Sequence, residues 1–162
     1  MAPNLFDPDF DAEQQEPGFR WRRARLGRQA GSERLGASLF ELEPGEAAFP
    51  YHFHYGNEEL LLVISGAPSL RTPDGWRELH EGKIMAFPVG ERGAHQVVNR
   101  GETTARIVIV SEMVEPDVVQ MPDSGKVQAR ERAPGAPDPG YWGIFRTGDQ
   151  AGFFEGEEPP GG

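Results

Sequence analysis

The sequence predicts an all-β fold, a sandwich or barrel, and three observations carry that expectation. Between Phe19 and Met121 the chain breaks into short apolar or alternating runs of strand length. Turn-forming clusters separate these runs: Pro44-Gly45, Pro73-Asp74-Gly75, Pro88-Val89-Gly90 and Arg100-Gly101-Glu102. No segment of this region keeps a helical period over about three turns.

Taken in order, the candidate strands are 19–26, 34–42, 47–55, 59–65, 68–72, 76–80, 84–87, 95–99, 104–113 and 117–121. Two of them, Leu60 to Ile64 and Ile107 to Val110, are apolar on both faces. That pattern is expected where one face lines a barrel and the other packs on a second sheet. Ahead of the strands, residues 1–18 are acidic and proline-punctuated and read as an arm. Behind them, residues 122–162 form a polar extension with a linker-like stretch at 131–140. Tyr141, Trp142, Phe145, Phe153 and Phe154 in that extension need a surface to pack on, either the barrel or a second subunit.

Composition narrows the function classes. A chain of 162 residues holds one domain with a core, assigned here to residues 19–121. The net charge of -10 argues against nucleic acid and membrane partners, because both repel an acidic protein. One basic stretch departs from this: Arg20, Arg22, Arg23, Arg25 and Arg28. Interleaved with Phe19, Trp21, Ala24 and Leu26, it reads as a strand with a solvated or ion-paired face, and an anion-binding patch is the alternative. Zero cysteines exclude disulfides, thiolate metal sites and thiol nucleophiles. Residues 1–18 hold no apolar run of a signal peptide, so a cytoplasmic location is expected.

Three of the four histidines fall in one arrangement. His52 and His54 are two apart in a candidate strand, so their side chains leave the same face. Glu59 opens the next strand, where a hairpin folds it back beside them. His95 opens a later strand. Three imidazoles and a carboxylate suit a divalent transition metal: Zn, Mn, Fe, Ni or Cu. His80 lies outside the arrangement and reads as a surface residue.

The segment Gly45-EAAFPY-His52-Phe-His54-YGNE-Glu59-LLLVIS-Gly66 resembles the first motif of the cupin family. Gly82-KIMAF-Pro88-Val-Gly90-ERGA-His95-QVV-Asn99 resembles the second. Together they span residues 45–99, about 55 of the 162 residues, in the family's order. Two spacers depart from the pattern. The one before His52 is longer by one residue than is usual, and the one before His95 is longer by two. Both fall in turns, where insertions are tolerated. The six-residue fit to Gly66 selects Glu59 rather than Glu58 as the carboxylate of the set. Gly45, Gly66, Gly82 and Gly90 read as turn glycines, and Asn99 as a residue bonding turn backbone.

The resemblance implies a double-stranded β-helix (jelly-roll barrel) with irregular N- and C-terminal extensions. It implies one metal held by His52, His54, Glu59 and His95, with open positions for water or substrate, and a homodimer. A divalent ion there would carry a net charge of about +1, which favours a small anionic or chelating ligand. The function expected is a metal-dependent enzyme on such a metabolite, of dioxygenase, decarboxylase or isomerase type. The alternative is a non-catalytic module that binds a small molecule.

Overall fold

The computed structural model describes residues 2–134, 136, 138 and 140–158. Its strands are β1 (Ala12–Gln14), β2 (Trp21–Ala24), β3 (Gly36–Leu42), β4 (Phe53–His54), β5 (Glu59–Ser65), β6 (Ser69–Thr72) and β7 (Gly75–Glu78). They continue as β8 (Ile84–Phe87), β9 (Gln96–Val98), β10 (Ala105–Ser111), β11 (Asp117–Met121), β12 (Lys126–Arg130) and β13 (Trp142–Arg146). One helical turn, α1 (Leu26–Gln29), follows β2. No helix among the described residues is long and apolar enough to cross a membrane.

The strands form antiparallel sheets of six (β1-β2-β3-β10-β5-β8), four (β13-β12-β11-β4) and three (β7-β6-β9) strands. Isolated bridges at Ala47–Val98 and His52–His95 stitch the segment 47–54 to the closing stretch of the second motif, around β9. The result is the double-stranded β-helix. Its core is built by one face of each strand: Phe40 and Leu42 from β3, Leu61 and Val63 from β5, Phe87 from β8, Ile107 and Ile109 from β10. Phe53 turns away from that core and meets Tyr55, with ring centroids 5.1 Å apart.

The outer face of the six-stranded sheet departs from expectation. Leu39, Val108, Leu62, Ile64 and Val110 are covered there by Leu5, Phe10 and Leu26, not by a second sheet. The acidic N-terminal segment therefore brings two apolar residues across the sheet, and Asp11 pairs with Arg25 at 3.0 Å.

The extensions, expected as irregular chain, also carry strands. β1 pairs with β2, and β12 and β13 widen the second sheet beyond β11. Within the linker-like stretch, residues 135, 137 and 139 lie outside the described set, as do 159–162. The candidate strand 47–55 reduces to Phe53–His54 with bridges at Ala47 and His52. Pro50 offers no N–H to a ladder, which accounts for the break.

Buried carboxylates on the outer and end faces are answered by arginines. Glu41 on β3 sits between Arg22 of β2 and Arg106 of β10, the latter at 2.8 Å. Glu46 takes Arg20 at 2.5 Å. Asn99 is fully buried and bonds the turn around it: its amide donates to the Leu42 and Thr103 carbonyls, and its oxygen accepts from Gly101 N–H.

Candidate metal centre

The two motifs meet through backbone pairing. His52 N–H donates to the His95 carbonyl at 3.1 Å, and His95 N–H returns the bond at 2.9 Å. The hairpin expected between the His52–His54 segment and Glu59 does not form: β4 pairs with β11 and β5 with β8 and β10, so residues 55–58 cross from one sheet to the other and set Glu59 beside His54. The long spacer before His95 folds as a 3-10 turn over Glu91–Gly93 and leaves His95 in register with His52. Gly93 permits that turn, because a Cβ there would stand 1.7 Å from the Pro88 carbonyl oxygen.

All four residues singled out in the sequence converge. Glu59 Oε2 lies 3.5 Å from His54 Nε2 and 3.4 Å from His95 Nε2. The His52 ring centroid is 4.6 Å from that of His95 and 5.2 Å from that of His54. Ligand atoms of His52, His54 and Glu59 lie within 4.8 Å of one another, a group that could hold a metal ion. Glu58 is exposed and directed elsewhere, its N–H donating to Glu112. His80 is exposed beside Glu78.

Each imidazole is oriented by its other nitrogen. His52 Nδ1 donates to the Pro50 carbonyl at 2.8 Å, and His95 Nδ1 donates to the Gly93 carbonyl at 2.9 Å. His54 Nδ1 bonds the Asp117 carboxylate at 2.7 Å. With Nδ1 engaged in each ring, His54 and His95 turn Nε2 toward Glu59. Burial, with the nearby His54, pushes the His52 pKa down to about 4. Burial, with His52 beside it, likewise lowers His95 well below the ordinary value. Both rings therefore stay neutral and available near neutral pH. His95 Nε2 is buried with no hydrogen-bond partner. An orphaned lone pair facing a buried carboxylate is costly unless something else occupies the gap, so the donor set fits a cation.

Phe87 stacks flat on the His95 ring, 3.7 Å between centroids, and Phe49 stands edge-on to His52 at 5.9 Å. These aromatics wall the site from the apolar core.

With this geometry established, the comparisons are decisive on family. The sequence matches the family model for the cupin domain over residues 38–111. A polyketide cyclase, RemF from Streptomyces resistomycificus, is 30% identical, with 64% of this chain and 73% of that one covered at a TM-score of 0.53. The chain belongs to the cupin superfamily.

Two other solved structures match over more of its length. A protein from Acidithiobacillus ferrooxidans, provisionally assigned as a sugar phosphate isomerase, is 27% identical, covering 83% of this chain and 81% of its own, with a TM-score of 0.74. A sugar phosphate isomerase of the cupin superfamily from Silicibacter pomeroyi is 24% identical, covering 91% and 93%, with a TM-score of 0.77. No curated protein matches the chain.

Two residues of this cupin's site were not singled out from the sequence, and a third takes a direction of its own. Asp117 orients His54, and Arg130 holds Asp117 at 2.7 Å. Arg23, read as part of a solvated or ion-paired face with an anion-binding patch as the alternative, turns into the cavity. The signal for Asp117 was its phase, since it shares the buried face of β11 with Val119 and Met121. The signal for Arg23 was the same, being two residues from Trp21 on β2.

Proposed function

We propose that His52, His54, Glu59 and His95 bind one divalent transition metal, and that the protein is a metal-dependent enzyme acting on a small anionic or chelating metabolite. Among the chemistries open to such a site, isomerisation of a sugar-phosphate-like substrate is the reading we favour. The observation that carries the metal is the orientation of the imidazoles: three Nδ1 atoms engaged, and Nε2 of His54 and His95 directed at one buried carboxylate. The likeness over four-fifths of both chains to the Acidithiobacillus ferrooxidans protein supports the isomerase type. The enzyme is read as a cytoplasmic homodimer.

A bound divalent ion would polarise the oxygens of a hydroxy-carbonyl ligand and stabilise charge developing on them. The chain's own residues then have three tasks. Phe49 and Phe87 exclude water from the histidine side. Asp117 and the Pro50 and Gly93 carbonyls fix the three rings, and Arg130 sets a positive charge beside Glu59 and His52. Burial raises the Glu59 carboxyl above its usual value, and His54 and Arg130 oppose that rise.

Elemental analysis of untagged protein purified without chelators tests the metal, with about one equivalent per chain expected. Conversion of phosphorylated aldoses to ketoses, lost on chelation and restored by the same ion, tests the reaction. Protein that neither carries nor takes up zinc, manganese, iron, nickel or copper removes the metal reading. Metal without turnover leaves the alternative, a cupin that binds a small molecule without transforming it.

A further inference from the structure

A cavity of about 860 Å³ opens from His52, His54 and Glu59 and extends between the six-stranded and four-stranded sheets. Both of its walls carry cations. Arg23 contributes from β2, and Lys126 and Arg130 contribute from β12 on the facing sheet. In a chain of net charge -10, this concentration of cations inside the barrel is not a solvated charge run.

Arg23 is the residue least explained by structure alone. Strand alternation decides its direction: Trp21 packs in the core edge-on to Phe40 at 5.4 Å, and Arg23, two residues on, follows it inward. Its neighbours Arg20, Arg22 and Arg25 each have a carboxylate, from Glu46, Glu41 and Asp11. Arg23 has none among the described residues. Its Nε is buried without a hydrogen-bond partner, and its guanidinium lies 5.4 Å from the Trp21 ring centroid. Burial and the adjacent Arg25 both act against its charge, with Asp11 a lesser opposing influence. A half-buried guanidinium with no acceptor is retained at a cost unless it binds something.

Arg130 completes the arrangement. One of its nitrogens is held by Asp117, while its Nε is buried and unpartnered. Acidic groups facing the cavity are few. Glu33 is exposed at the rim, Glu115 is engaged by Ala133 N–H and Arg132, and Glu59 sits at the metal end. Two guanidinium groups, each with a buried and unpartnered Nε, and a lysine on facing walls match a compact dianion with several acceptor oxygens.

We propose that Arg23 is the phosphate-binding residue of a second subsite in this cavity, so that the ligand is a small phosphate monoester whose opposite end meets His52, His54, Glu59 and His95. The orientation of that ligand rests on the metal-centre reading, whereas the phosphate subsite does not require the metal. The subsite requires only the two arginines and the cavity between the sheets.

The test is calorimetric titration of inorganic phosphate into the full chain after metal removal by chelation, in parallel with nitrate. Phosphate is expected to bind and nitrate to bind more weakly. Arg23→Ala and Arg23→Gln should each lose about tenfold or more in phosphate affinity, and Arg23→Lys less. Both neutral variants should melt no lower than the unaltered protein, because they remove a buried unpaired charge. Metal content after reloading should be unchanged in all three. Equal phosphate affinity in the neutral variants, or preference for nitrate, overturns the subsite. Arg23-dependent phosphate binding in a protein that takes up no metal would overturn the metal centre and support the subsite.

Discussion

Asp117 does for His54 what backbone carbonyls do for His52 and His95, and the difference has consequences. A carboxylate makes the imidazole more basic and a stronger ligand, and it can be altered without moving the backbone. Burial alone would raise the Asp117 carboxyl, but its bonds to His54 and Arg130 outweigh this and hold it below the usual range. Asp117→Asn is therefore expected to keep the fold and weaken metal binding by about 10- to 100-fold, measured by chelator competition. Unchanged affinity would show that His54 is not a ligand. The neighbouring carboxylates give a second contrast. Glu59→Gln should weaken metal binding strongly, and Glu58→Gln should leave it unaltered, since Glu58 is exposed. The reverse ranking would relocate the centre. Gly93 shows how tight the second motif is. Gly93→Ala would drive a methyl into the Pro88 carbonyl, with an expected destabilisation of roughly 2 kcal/mol or more and lower metal occupancy.

At the scale of elements, alternation explains both what the sequence revealed and what it concealed. The spacing of His52, His54, Glu59 and His95 lies within two short motifs, so it was legible, and the structure brings the four together. Arg23 was concealed by its company. Five arginines in nine positions read as one solvated or ion-paired face, with an anion-binding patch as the alternative, and the strand divides the two readings: Arg22 pairs with Glu41 outside and Arg23 faces the cavity inside. Asp117 was concealed because its partners, His54 and Arg130, are distant in sequence and close only through sheet pairing. The β1, β12 and β13 strands escaped notice because their residues carry weak alternation and borrow their ladder from stronger neighbours. The outward carboxylate Glu41 gives this scale its prediction. Burial would raise its pKa, but Arg22 and Arg106 prevail and hold it below the usual carboxylate range. A lowered folded-state pKa contributes stability that is present above the unfolded value of about 4.3 and lost as pH falls through the folded value. Glu41→Gln should thus cost about 1–2 kcal/mol in denaturant unfolding at pH 7, and the gap should begin to narrow as pH falls below about 4.3. A gap that stayed constant with pH would mean that the cost is steric and not electrostatic.

At the scale of the whole molecule, the exposed aromatics of the C-terminal extension are unfinished business within one chain. β13 is the edge of the four-stranded sheet, and its Trp142, Ile144 and Phe145 are 59%, 44% and 47% exposed, with Tyr141 beside them at 58%. An edge strand bearing that much apolar surface invites pairing with another copy of itself. The expected species is a homodimer, with a sedimentation mass of twice 17.9 kDa. Trp142→Glu should shift it to the single-chain mass by burying a charge at the contact. The cavity links this surface to the site, because Ile144 of β13 lines it together with Gln128 of β12. Loss of the second copy should loosen that wall, so Trp142→Glu is also expected to weaken phosphate binding while leaving metal content intact. A single-chain mass for the unaltered protein would remove the dimer. An altered mass with unaltered phosphate affinity would confine β13 to assembly and leave the cavity the property of one chain.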